Sequence, residues 1–180
     1  MPTVTATCTA SAQSAGDGVD WTGVGNVAAS DDSRATVILL ITENSEYIYG
    51  TNYPGLHAIP NGSTINSVTC NANGSTVLGS AEDYGQTVQI VTGGTTRVGN
   101  NLVASAVFAE TTDADHNYTG AWGVTFTTDY IKAAGFGFAW RGTGLLADTL
   151  RIDFMAITVD YSLPAGGFRS FSRSRNYRSR

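Results

Sequence analysis

Short apolar runs, divided by Gly and Asn, make up most of this chain. Residues 35–41 form one continuous apolar run, which suits a strand buried on both faces and is short for a helix. Apolar residues then alternate with small or polar ones over 122–127 and 136–141, so each stretch has one apolar face. Residues 150–161 change the phase of this alternation, and a β-bulge near Phe154–Met155 would return their apolar side chains to one face. The pattern predicts a protein built mainly from strands.

The rest of the chain also shows the pattern of strands and turns. Further strands are predicted at 64–70, 86–91 and 102–108, while two copies of Asn-Gly-Ser-Thr, at 61–64 and 73–76, predict turns. Residues 128–134 offer one helical turn. Strands at this spacing, with no helical crossovers between them, predict an antiparallel β-sandwich of the jelly-roll type.

Composition agrees with that fold class. Charged residues make up 14% of the chain, against about 25% in an ordinary domain, and Lys132 is the one lysine. No apolar stretch approaches the length of a membrane span, so we expect no membrane association. Cys8 and Cys70 are too few for a disulfide framework or a zinc site, and we interpret them as free thiols.

Charge divides the chain into segments. Residues 166–180 hold five arginines and no acid, whereas the other 165 residues hold five basic and fifteen acidic groups, a formal charge of −10. Pro164 and Gly166-Gly167 end the last predicted strand. We therefore predict a flexible N-terminal arm over 1–20, a sandwich domain over 21–163 and an Arg-rich tail over 164–180.

The tail has three alternative interpretations. Its arginines and aromatics could bind nucleic acid, dock on an acidic protein surface, or form a solvated extension. The acidic body would repel a polyanion, so we favour a protein partner and expect no nucleic-acid partner. The predicted partner-binding residues are Phe168, Arg169, Phe171, Arg173, Arg175, Tyr177, Arg178 and Arg180.

Candidate chemistry is sparse. His57 and His116 lack a recognisable nucleophile or base motif, and no Gly-x-Ser-x-Gly elbow is present. No phosphate loop or dinucleotide fingerprint is present either. We predict that the protein is not an enzyme and uses no cofactor.

Residues 113–120 partly match a calcium loop. Asp113, Asp115, Asn117 and Thr119 occupy ligand positions, but Tyr118 stands where the loop needs Gly, and the terminal Glu is missing. An adventitious calcium site is one interpretation. We favour a polar loop between strands and predict no metal site.

Five stretches, in order from about residue 21 to residue 161, resemble a jelly-roll domain common among tailed-phage virion proteins. They are Trp21–Asn26 with Asp31-Asp32 and Ala35, Ala58–Ile65, Ala121–Thr125, Phe136–Phe138, and Asp153–Tyr161. The resemblance implies structural roles for these residues. The expected core includes Trp21, Trp122, Phe136, Phe138, Trp140, Ile157 and Val159.

The resemblance also implies a function. It suggests a capsid decoration (cement) protein on the capsid surface of a virion, bound to the major capsid protein and self-associated, with lattice geometry favouring a homotrimer. The alternative is a tail or fibre component that adsorbs to host-surface carbohydrate, with Tyr47, Tyr49 and Tyr53 as candidate stacking residues. Packing in a strand would explain the first two equally well. A glycan-active enzyme, the third class, lacks an identifiable acid pair.

Overall fold

Ten β-strands in two antiparallel sheets form the part of the chain that the computed structural model describes, residues 1–78, 84–104, 111–144 and 147–164. The strands are β1 (Thr3–Thr7), β2 (Ala10–Gln13), β3 (Ala35–Leu39), β4 (Ile48–Thr51), β5 (Thr64–Thr76), β6 (Tyr84–Thr92), β7 (Thr96–Ala104), β8 (Ala114–Tyr118), β9 (Gly137–Gly144) and β10 (Asp148–Ser162). Two 3-10 turns lie at Val24–Val27 and Pro54–Ala58, and a short helix α1 at Thr128–Lys132. The predicted all-β fold is confirmed.

The strand pairing is that of a jelly roll. The chain folds back on itself so that β3 pairs with β10, β4 with β9, β5 with β8, and β6 with β7. The first sheet has the order β1-β10-β5-β8, with β3 also on β10, and the second has the order β2-β4-β9-β6-β7. Nested antiparallel pairs divided between two sheets are the arrangement expected from the sequence.

The N-terminal segment belongs to the sandwich, which corrects the prediction of a flexible arm over residues 1–20. Strand β1 pairs with β10 from Thr3 opposite Asp160 to Thr7 opposite Ala156, and β2 pairs with β4. Alternating Thr, Val and Ala residues give β1 the period of a strand, and its partner is more than 140 residues away in sequence. That distance hid the pairing from a local pattern.

Strand β10 is the longest element and carries the predicted bulge. Its register against β5 shifts between Ile152 and Phe154, so Asp153 is the extra residue. Met155, Ile157, Val159 and Tyr161 are buried beyond the shift, as Leu150 and Ile152 are before it. The change of phase in the sequence therefore marked a real bulge, one residue before the predicted place.

Four local predictions were wrong. Strand β5 runs straight through the second Asn-Gly, at Asn73-Gly74, because both of its edges are paired, with β10 and with β8. The expected loop at 113–120 contains strand β8, whereas 122–127 is irregular. Strand β3 is not buried on both faces, since Ile38 is 68% exposed.

The core lies between the two sheets and contains every predicted core residue. Trp21 packs edge-on against Trp140 with ring centres 6.0 Å apart, and Phe126, Tyr130 and Phe136 form a second aromatic group. The buried residues are Trp21, Trp122, Phe136, Phe138, Trp140, Ile157 and Val159, each at most 4% exposed. The predicted helical turn is α1, where Thr127 accepts a hydrogen bond from the Tyr130 amide. At five residues, α1 has too few residues to cross a membrane, and no other described helix is long and apolar enough.

Candidate functional site

The predicted partner-binding residues of the tail, from Phe168 to Arg180, lie outside the described residues. The structure does describe the point from which the tail continues. Strand β10 ends at Ser162, whose hydroxyl accepts a hydrogen bond from the Asn66 amide, and the Tyr161 amide donates to the Pro2 carbonyl. The chain therefore enters and leaves the sandwich side by side, at the same end of the first sheet. We call this end the tail end.

The opposite end of β10 carries exposed apolar residues. Ile38 on β3 and Val77, just after β5, lie on either side of Thr149, because Ile38 is in register with Thr149 and the Val77 amide donates to the Thr149 carbonyl. Neighbouring strands are about 4.8 Å apart, so the two backbones are separated by roughly 10 Å. The set, named here the apolar end, is Ile38, Leu40, Ile41, Val77 and Leu78, each between 48% and 69% exposed. Exposed apolar residues gathered in this way are typical of contact surfaces.

The tyrosines considered for sugar stacking are buried, which corrects that part of the alternative function. Tyr47, Tyr49 and Tyr53 are 5%, 4% and 3% exposed. The Tyr47 ring is covered by two guanidinium groups, with Arg97 Cζ 3.9 Å and Arg141 Cζ 4.6 Å from the ring centre. Their aromatic faces serve packing and cation–π contacts.

The other candidate residues are separated from each other. His57 is exposed in a 3-10 turn, while His116 is buried on β8. Cys8 and Cys70 are buried free thiols, as predicted, and the Cys8 thiol donates to the Val27 carbonyl. Burial raises the pKa of Cys8 to about 12 and that of Cys70 well above its ordinary value.

Glu46 is a buried carboxylate that the sequence did not reveal. Its side chain accepts hydrogen bonds from the backbone amides of Asp17 and Gly18, 2.6 Å and 2.9 Å away, and from the Ser14 hydroxyl. Burial alone would raise the pKa of Glu46, but these hydrogen bonds outweigh it and the pKa is lowered. The group holds the N-terminal loop against the sandwich.

The residues of the partial calcium match do not form a loop. Asp115 and Asn117 face Asn73 and Asn71 across the β8–β5 ladder, and the Asn73 amide donates to Asp115 at 2.8 Å. Both are exposed. The polar loop expected at these positions is strand β8.

Asp113, however, meets two acids from distant parts of the chain. Asp32, Asp113 and Asp153 each place a carboxylate oxygen within 4.8 Å of the other two, and we name this group the acidic cluster. Asp32 belongs to the loop before β3 and has a positive φ of 62°, Asp113 precedes β8, and Asp153 is the bulge residue of β10. Only the fold brings these three together.

Arg34 balances part of this charge. Its Nε donates to Asp113 Oδ2 at 2.8 Å, and its Nη2 lies 3.6 Å from Asp32 Oδ1. Partial burial opposes ionisation of Asp113, but hydrogen bonds from Arg34 and Ser75 outweigh it and lower the Asp113 pKa. The charge of Arg151 also acts on Asp113, but two guanidinium groups against three carboxylates still leave the cluster with a surplus of negative charge.

The environment of Asp153 differs from that of Asp113. Asp153 is 4% exposed, and within the described part of the chain its Oδ1 has no hydrogen-bond partner. Burial and the nearby charge of Asp113 raise its pKa, against a lowering hydrogen bond from the Asp31 amide. A buried carboxylate with an unsatisfied oxygen is costly unless something else neutralises it.

An open groove of about 530 Å³ lies at the edge of the first sheet. Residues 65–68 of β5 form one wall and 119–126 the other. Trp122 contributes to the lining but is 3% exposed, and its Nε1 donates to the Val68 carbonyl. Trp122 is therefore part of the core, and Ile65, Val124 and Phe126 are partly buried apolar residues of the lining.

Comparison with known proteins identifies no family for this chain, since no family model and no curated protein matches it. A solved structure described as "CBM4 structure and function" is similar, with 11% sequence identity over 89% of this chain and 94% of that chain and a TM-score of 0.38.

Proposed function

We propose that the chain is a non-enzymatic structural protein of a virion, a capsid decoration protein that binds the outer capsid lattice. One observation carries the proposal. The apolar end and the tail end lie at the two ends of the same strand, β10. With fifteen residues at about 3.3 Å each, that strand separates them by roughly 45 Å.

Two contact features at opposite ends suit a protein that joins neighbours. A cement protein must touch more than one lattice subunit, so that several weak contacts add up to firm attachment. The apolar end would contribute a buried apolar contact, and the Arg-rich tail a charged one. A rigid sandwich between them would set the spacing.

Charge favours a protein partner for the tail. The body is acidic, with a formal charge of −10, and the tail holds five arginines. The tail of one copy can therefore contact the acidic body of the next copy or an acidic patch of the major capsid protein. Contact between copies is compatible with the homotrimer that lattice geometry favours.

The described polar groups support a non-catalytic role. The carboxylate of Glu46 is engaged in fixing a loop, and the arginines nearest Tyr47 are engaged with its ring. His57 and His116 lie on different elements, a 3-10 turn and a strand. The protein would therefore act by binding other proteins through its surface, and not by catalysing a reaction.

Binding to purified capsids tests the proposal. We expect the full chain to bind capsids that lack it and to raise the temperature at which they break. Removal of residues after Pro164 should weaken binding about tenfold or more, because the charged contacts are lost. Full binding by the shortened chain would contradict the role of the tail.

Substitutions at the apolar end test the second contact. Ile38→Ser with Val77→Ser should weaken capsid binding while the free energy of unfolding changes by less than about 1 kcal/mol, since both side chains are exposed. His57→Ser, which alters an exposed residue of the turn at Pro54–Ala58 and belongs to neither end, is the control. Binding to host cells or glycans by the isolated protein, with no binding to capsids, would instead support the adsorption function.

A further inference from the structure

We propose that Asp32, Asp113 and Asp153 bind a calcium ion at the surface of the first sheet. The three carboxylates have an oxygen each within 4.8 Å of the others. Calcium prefers oxygen ligands at 2.3–2.6 Å, so oxygens on opposite sides of one ion lie up to about 5 Å apart. The acidic cluster has the ligand chemistry and the spacing for this ion.

The buried oxygen of Asp153 is the independent observation that points to a ligand. Its Oδ1 has no hydrogen-bond partner among the described residues, although the residue is only 4% exposed to solvent. The bulge in β10 places it there, because the register shift between Ile152 and Phe154 leaves Asp153 outside the ladder. A cation held by the acidic cluster would give this buried carboxylate the partner that it lacks.

The surrounding charge agrees with a bound cation. Arg34 contacts Asp113 Oδ2 at 2.8 Å, and the charge of Arg151 also acts on Asp113, so three carboxylates face two guanidinium groups and a negative charge remains for the ion to balance. Ser75 holds Asp113 from the other side, with its hydroxyl 2.6 Å from Oδ1. Asp32, which is exposed, leaves room for water molecules to complete the 6–8 ligands that calcium takes.

Such a site would tie together three segments that are remote in sequence. Asp32 lies in the loop before β3, Asp113 before β8, and Asp153 in β10. Because a calcium ion binds the folded arrangement and not the unfolded chain, it would stabilise the sandwich by mass action. The proposal is independent of the role in the capsid.

Titration calorimetry and thermal unfolding of the full chain, with CaCl₂ or with EDTA, test the site. We expect one calcium ion per chain, with a Kd between about 10 µM and 1 mM. A hundredfold excess over the Kd should raise the Tm by roughly 5–10 °C. Absence of both binding heat and a Tm shift at about 10 mM CaCl₂ would overturn the proposal.

Two variants locate the ion. Asp153→Asn should weaken calcium binding about tenfold or more and, in EDTA, melt no lower than the wild type, since it removes a buried charge that only the ion balances. Asp115→Asn changes the exposed acid of the partial calcium loop and should bind calcium as the wild type does. The assignment would be contradicted if both variants lost calcium affinity equally, or if Asp153→Asn bound calcium as the wild type does. It would also be contradicted if Asp153→Asn were unfolded in EDTA.

Discussion

The indole Nε1 of Trp140 donates a hydrogen bond of 2.8 Å to the hydroxyl oxygen of Tyr118, in the interior of the sandwich. Trp140 lies on β9 in the second sheet and Tyr118 on β8 in the first, so this bond joins the two layers. Both side chains are almost fully buried. Burial raises the pKa of Tyr118 above its ordinary range, against the opposing effect of the bond from Trp140.

Removing the Tyr118 hydroxyl should destabilise the fold. In Tyr118→Phe the buried indole N–H of Trp140 loses this acceptor, and we expect the free energy of unfolding to fall by about 1–3 kcal/mol. Tyr53→Phe is the matched control, because the buried Tyr53 hydroxyl has no hydrogen-bond partner among the described residues. Urea denaturation should show no loss for Tyr53→Phe; equal losses would mean that removal of a buried hydroxyl, and not loss of the bond to Trp140, sets the effect.

The carboxylate of Glu46 should make stability depend on acid. Since its pKa is lowered in the folded state, it contributes stability above its unfolded value near 4.5, and this contribution is lost as the pH falls through the lowered pKa. Glu46→Gln should cost about 1.5–3 kcal/mol at pH 7, because hydrogen bonds to a charged acceptor are weakened. Denaturant unfolding at several pH values between about 7 and 3 measures both effects. If Glu46→Gln lost stability with falling pH in the same way as the wild type, carboxylates other than Glu46 would govern the acid dependence.

The two thiols should be inert in the folded protein. Cys8 and Cys70 are both 0% exposed, and a raised pKa keeps each as the unreactive thiol at neutral pH. We expect a disulfide-exchange reagent to label neither in native buffer and both in about 6 M guanidinium chloride. Rapid labelling of the native protein would indicate that the strands carrying them open readily.

Gly137 should tolerate no side chain. A Cβ there would overlap the carbonyl oxygen of Gly50 on the paired strand β4, whereas a Cβ at Gly25 meets nothing within 4 Å. Gly137→Ala should therefore destabilise the sandwich by about 1–3 kcal/mol or more, and Gly25→Ala by much less. Thermal unfolding of the two variants measures the difference, and similar Tm values would contradict the close approach of β4 and β9.

Sequence pattern was a good guide along β10 and at the start of β9. The apolar phase of β10, its bulge, and the burial of Phe136, Phe138 and Trp140 were all predictable, because period-two alternation follows directly from strand geometry. The same reasoning failed for residues 122–127. There the Trp122 indole donates to the Val68 carbonyl and the Trp122 carbonyl accepts from the Asn100 amide, and these tertiary contacts fix an irregular segment.

Contacts between residues that are distant in sequence could be found only from the tertiary structure. The sequence by itself determined an all-β sandwich with free thiols, an acidic body and a basic tail, because composition and local periodicity are properties of neighbouring residues. Only the tertiary structure decided that residues 3–7 and 10–13 pair as strands, that Tyr47, Tyr49 and Tyr53 are buried, and that Asp153 lies close to Asp32 and Asp113. Strand pairing joins segments more than 100 residues apart, and no local pattern records which segments meet.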